Sequence, residues 1–237
     1  MAAFRTLWTA LVGLYEETLV LLGGNLAAVA LNLPIGVLLV LLGLGASADT
    51  QWLIAVVGWG LMFVPTPANL ALAALAQASA SPDVPRFATF TTALRRYWPL
   101  ALRCSVVSLA ALVSLVWYVV VAVTLSWPPL IAIVWLYATL FWLSLHVYLA
   151  PLAVHVAEPR VLDLYRRAAL IAMGHPGYTF ILLLLLLAVS FACVVFLPVY
   201  VLVGLVFVSL VQTHALREIR RRHGDLVSQP DEEVGRL

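Results

Sequence analysis

The chain has 237 residues, of which 64% are apolar and only 10% charged, and its mean hydropathy is +1.07. Soluble domains are about 45–50% apolar and about 25% charged, so this composition cannot cover a water-facing surface of its size. It excludes a soluble enzyme, a nucleic-acid binder and a disordered scaffold, and it leaves an integral membrane protein.

All 13 basic residues are arginine. Without lysine there is no Schiff-base chemistry and no phosphate-gripping P-loop lysine, so the chain supplies no ATPase. Cys104 and Cys193 lie far apart inside apolar runs and read as small hydrophobes rather than a disulfide framework.

In chain order, residues 1–18 hold Arg5 and then Glu16 and Glu17, a pattern without the short apolar core and small-residue cleavage site of a signal peptide. A helix needs about 20 apolar residues to cross the hydrocarbon, which predicts spans at 19–45, 52–78, 100–126 and 130–155. From Tyr178 no charged residue appears until His214. One helix over that stretch would measure about 55 Å, nearly twice the bilayer core. Pro198 stands near its middle and divides it into spans at 177–196 and 199–215.

Charge supports six spans. The connections at 46–51, at 127–129 and around Pro198 contain no arginine. Arg5, then Arg86, Arg95, Arg96 and Arg103, then Arg160, Arg166 and Arg167, then Arg217, Arg220, Arg221 and Arg222 all fall on the other side. The positive-inside rule makes that side cytoplasmic and places both termini there.

Each long cytoplasmic connection has helical periodicity. In 84–98, Phe87, Phe90, Leu94 and Tyr97 recur among Arg86, Arg95 and Arg96; in 159–173, Leu162, Tyr165 and Ala169 recur among Arg160, Arg166 and Arg167. Such helices suit the interface, apolar face down. Each connection opens on Pro-Arg and ends near a proline, Pro99 or Pro176, which hints at a parallel repeat of span, surface helix and span. The expectation is an all-α, polytopic helical membrane protein with six transmembrane helices and two cytoplasmic interfacial helices. One membrane domain occupies 1–215, and 216–237 form a basic then acidic cytoplasmic tail.

No charged residue falls in the middle of a predicted span, which disfavours a proton-driven carrier. The intramembrane polar candidates are Asn25 and Asn32, seven apart on one helix face beside Pro34, and Thr66 and Asn69 at the 65–67 proline break, where Asn69 can pair with the first-span asparagines. They read either as interhelical glue or as the lining of a path at a broken helix. His146 and His155 are nine apart on opposite helix faces, and Ser105, Ser108 and Ser114 show no neighbouring base. No catalytic set, metal site or cofactor site is expected. Arg95, Arg96, Arg166, Arg167, Arg217, Arg220, Arg221 and Arg222 are candidates for anionic lipid headgroups or for a protein partner.

The run Gly58-Trp-Gly-Leu-Met-Phe-Val-Pro-Thr-Pro-Ala-Asn-Leu-Ala-Leu-Ala, the helix Phe87-Ala-Thr-Phe-Thr-Thr-Ala-Leu-Arg-Arg-Tyr-Trp, and Tyr148-Leu-Ala-Pro-Leu followed by Arg166-Arg-Ala-Ala-Leu and His175-Pro resemble the YesL family of small polytopic bacterial membrane proteins. The likeness covers roughly 15–215, and Asn69 departs from it by adding an amide inside the span. The resemblance implies a bacterial inner-membrane protein with six spans, of uncharacterised activity, in an accessory role near a carbohydrate-uptake system. It supplies no catalytic or binding residues. Two readings therefore follow: a non-enzymatic accessory component that binds a transporter or receptor subunit, and a small-solute channel or facilitator lined by Asn25, Asn32 and the 65–67 break.

Overall fold

The computed structural model describes residues 2–44, 47, 51, 63–81, 85–125, 129–156 and 160–222. All regular structure among them is helical: α1 (Ala2–Glu16), α2 (Thr18–Leu44), α3 (Pro67–Ser79), α4 (Phe87–Thr124), α5 (Pro129–His155), α6 (Val161–Gly174), α7 (Pro176–Val195) and α8 (Leu205–Arg222). A helical turn, Leu197–Val199, and a π-helical turn, Tyr200–Gly204, lead into α8. Five stretches are long and apolar enough to cross a membrane: Thr18–Leu44, Phe87–Leu115, Ile133–His155, Pro176–Cys193 and Tyr200–Arg221.

The centre is α3, which packs against α2, α4, α5 and α8. Every residue from Ala68 to Ala76 is buried, the pattern of a helix enclosed on all sides. Pro67 opens it and Thr66 caps it, the Thr66 hydroxyl accepting from the Asn69 amide at 3.2 Å. Proline suits a first turn because its missing N–H has no intrahelical partner there. At 13 residues, α3 is about 20 Å long, short of the bilayer core. The expected span at 52–78 therefore does not run as one helix to residue 78. Its first part, residues 52–62, lies outside the described residues.

A second difference concerns α4. The sequence predicts a surface helix at 84–98 and a separate span from 100, but one helix of 38 residues passes through Pro99. Phe90, Ala93, Tyr97, Ala101, Cys104, Ser108 and Leu112 are buried in succession, so a single stripe packs onto the bundle on both sides of the proline. Phe90 and Tyr97, expected to lie on lipid, face the core. That stripe outweighs the one hydrogen bond and the local clash that an internal proline introduces.

At 159–173 the helix is separate: α6 ends at Gly174, and His175 leaves the helical region before Pro176 opens α7. It packs through Leu164, Ala168 and Ala172, not through Leu162, which is exposed. The span–surface helix–span repeat is therefore not symmetric, because Pro99 is internal to a helix and Pro176 starts one.

Near the C-terminus, α7 gives way at Phe196, and Pro198 sits in the turn that follows. Large apolar side chains on α2, α4, α5 and α7, among them Leu38, Leu41, Val113, Trp117, Ile133, Leu136 and Phe191, are exposed. A surface of that kind belongs against hydrocarbon.

Candidate functional site

Asn25 is fully buried on α2 and reaches the π-helical turn before α8. Its Nδ2 donates to the Val201 carbonyl at 2.6 Å and to the Tyr200 carbonyl at 3.3 Å, and its Oδ1 accepts from the Val206 amide at 2.8 Å. A switch from π to α bonding leaves backbone groups without their usual helical partners, and this amide supplies both donor and acceptor. Gly24, next to it, lets α2 approach α3: a Cβ there would stand 2.6 Å from Leu75 Cδ2.

Thr66 and Asn69 act locally. Asn69 Nδ2 donates to the Val64 carbonyl at 2.7 Å, and Ser105 Oγ on α4 donates to the Pro65 carbonyl at 3.2 Å. The proline break is thus tied to its own helix start and to α4, and Asn69 does not reach toward Asn25. Asn32, one face down from Asn25, is half-buried and lines a shallow, largely apolar cavity of about 380 Å³ with Val29, Val37 and Tyr200. The four sequence candidates therefore fall in three places.

The structure brings together a further group. Ser108 Oγ on α4 lies 2.8 Å from His146 Nε2 on α5 and 2.6 Å from the Tyr165 hydroxyl on α6. His146 Nδ1 lies 2.7 Å from the Trp142 carbonyl. Because that carbonyl only accepts, the proton sits on Nδ1 and Nε2 accepts from Ser108. The Trp142 ring packs on the imidazole with centroids 4.0 Å apart, and Gln212 on α8 donates to the His146 carbonyl at 3.3 Å. Burial pushes the Tyr165 phenol up, and because the Ser108 hydrogen is committed to His146, the phenol donates to Ser108 Oγ.

A serine hydroxyl on a neutral, anchored imidazole has the hydrogen bonding of a nucleophile and its base. Here both residues are fully buried, and the bonds of the group join α4, α5, α6 and α8. Ser108 has no base within its own span. A hairpin reading supplies one, because Ser108 and His146 each lie 19 residues from Trp127 and so come level in an antiparallel pair.

A cavity of about 610 Å³ lies where the start of α1 meets the ends of α3, α5 and α8. Four guanidiniums, Arg5, Arg217, Arg220 and Arg221, and one carboxylate, Glu218, line it. Arg217 donates to the carbonyls of Ala80 and Gln77 and, at 3.0 Å, to Ser81 Oγ, closing the C-terminal end of α3. Glu218 binds Arg5 at 2.5 Å and Arg221 at 3.2 Å. Of the other candidate arginines, Arg95, Arg96, Arg166 and Arg167 are exposed, with Arg96 5.4 Å from the Tyr97 ring centroid. The Arg222 side chain lies outside what is described. Among the described residues no group of three or more His, Cys, Asp or Glu side chains could hold a metal ion.

With all regular structure helical and five apolar helices of spanning length among the described residues, and with large exposed apolar faces and buried interhelical amides, this is a multi-pass membrane protein. Compared with protein-family models, curated proteins and solved structures, it matches none.

Proposed function

We propose that the protein is a non-enzymatic accessory component of a bacterial inner membrane that docks onto a transporter or receptor subunit, with a carbohydrate-uptake system as the setting the YesL resemblance implies. The observation that carries this reading is the use made of the intramembrane polar side chains. Asn25 bonds a helix joint, Asn69 and Ser105 bond a helix start, and Ser108, His146 and Tyr165 bond one another. Polar groups engaged this way hold helices together and leave little to line an aqueous path.

In the proposed topology six spans put both termini in the cytoplasm. Support comes from Arg5, Gln77, His155 and Arg217, which belong to four points of the chain expected on the cytoplasmic side and line one cavity. α6 and the first turns of α4, with Arg166, Arg167, Arg95 and Arg96 exposed, are the interfacial elements of this reading.

A facilitator is the second reading, favoured by the cavity lined by Asn32. Purification from the native membrane in mild detergent, with mass spectrometry of what accompanies the chain, tests the two. A stoichiometric transporter or receptor subunit supports the accessory role. A partner-free particle that carries solute into liposomes, with flux lost in Asn32→Ala, replaces it with the facilitator.

A further inference from the structure

The cavity at the ends of α1, α3, α5 and α8 has an unbalanced charge. Its single carboxylate among the described residues, Glu218, is held on both oxygens, Oε1 by Arg5 and Oε2 by Arg221, and is itself only 11% exposed. The charge of Arg217 meets neutral acceptors, the carbonyls of Ala80 and Gln77 and the Ser81 hydroxyl. Arg220 is half-buried and has no acceptor among the described residues. It also lines the adjoining cavity of about 380 Å³ that reaches Arg167.

Partly burying guanidiniums without counter-charge is unfavourable, because desolvation is not repaid by a partner. An anion resolves it. A guanidinium offers planar, paired donors that match the oxygens of a phosphate, and the volume exceeds what a bare tetrahedral anion fills.

We propose that this cavity is a binding site for a phosphoester anion, with Arg220 as its principal ligand and Arg5 and Arg221, held in place by Glu218, at its rim. Arg217 holds the wall of the site by closing α3 and is not the ligand. The site lies at the charged end of the bundle, where the apolar faces stop, so a phospholipid headgroup and a free phosphoester share the chemistry and both have access.

The test uses the full chain in detergent, read as a saturable rise in thermal unfolding midpoint. The probes are short-chain dioctanoyl phosphatidylglycerol, glycerol 3-phosphate and, as a zwitterionic comparison, dioctanoyl phosphatidylcholine. A saturable rise with the first alone identifies a lipid headgroup, and a rise with the first two alike identifies a free phosphoester. In either case Arg220→Gln weakens binding at least tenfold, whereas the exposed pair Arg95→Gln and Arg96→Gln leaves it unchanged. Arg220→Lys keeps the charge without the fork and gives an intermediate affinity, which separates loss of a ligand from loss of the fold. No saturable rise with either anionic probe overturns the proposal. So does an affinity unaltered by Arg220→Gln, an equal loss in the Arg95/Arg96 variant, or an equal response to the zwitterionic lipid.

Discussion

The amide of Val206 donates to Oδ1 of Asn25, 181 positions earlier in the chain, at 2.8 Å. In an uninterrupted α-helix that N–H would bond the carbonyl four residues back, so a side chain from α2 stands in for a rung of the α8 ladder. Nδ2 of Asn25 donates to the carbonyls of Tyr200 and Val201, so one residue fixes both the position and the irregular bonding of this helix.

Asn25→Ala is therefore expected to destabilise the protein by about 2 kcal/mol or more, since each buried backbone group left unsatisfied costs about 1–3 kcal/mol. Asn25→Asp keeps an acceptor for Val206 but sets a carboxylate oxygen against the carbonyls of Tyr200 and Val201, so it melts no higher than Asn25→Ala. Thermal unfolding in detergent reads both. An unchanged midpoint in Asn25→Ala would show that the joint holds without this side chain.

The neighbouring glycines separate close approach from helix propensity. A Cβ at Gly24 stands 2.6 Å from Leu75 Cδ2 and 3.4 Å from Leu72 Cδ2, both on fully buried leucines. At Gly23 the nearest atom is a Phe87 ring carbon at 3.8 Å, an ordinary contact. Gly24→Ala is expected to cost about 1–3 kcal/mol through overpacking. Gly23→Ala is expected to be neutral or to gain up to about 1 kcal/mol from helix propensity. Equal midpoints for the two variants would count against the packing of α2 on α3.

For the buried Ser108–His146 pair, a double-mutant cycle with Ser108→Ala and His146→Phe is the informative measurement. Hydrogen bonds between membrane helices couple by about 0.6 kcal/mol on average and about 1.7 at most, and a coupling in that range is expected. A serine-reactive fluorophosphonate should leave Ser108 unlabelled, because the hydroxyl is fully buried. Labelling abolished by His146→Phe would reveal an activated nucleophile.

Much of this architecture is legible along the chain because it depends on local chemistry. Apolar runs of spanning length mark α2, α5 and α7, and the prolines at 65 and 67 mark a break in the second predicted span. What escapes a linear reading depends on the far side of each contact. Pro99 carries the same local signal as Pro176, yet α4 continues because Phe90 and Tyr97 before it and Ala101 and Cys104 after it bury against the same neighbours. Asn25 and Asn32 share a helix face by spacing, but of the two Asn25 is the one that hydrogen-bonds the π-helical turn. Arg217 reads as part of a basic cluster, and only its position beside the open end of α3 makes it a cap.

The arrangement of helix ends gives a direct test of topology. Cys104 and Cys193 are both buried, so a cysteine introduced elsewhere is the preferred target of a membrane-impermeant maleimide. Arg5, Ser81 and Arg221 line one cavity and so share a side. Ser47 follows α2 by three residues, at the end opposite the joint between α1 and α2. In intact inverted vesicles, Arg221→Cys and Ser81→Cys are expected to label and Ser47→Cys to stay protected; in intact cells the pattern reverses. That outcome requires an even number of crossings between Ser81 and Arg221 and an odd number between Ser47 and Ser81, as six spans with cytoplasmic ends demand. Labelling of Ser47→Cys and Ser81→Cys from the same side would remove the second crossing, leave five spans, and force the arginine-rich end of α8 onto the face opposite the N-terminus, against the shared cavity of Arg5 and Glu218.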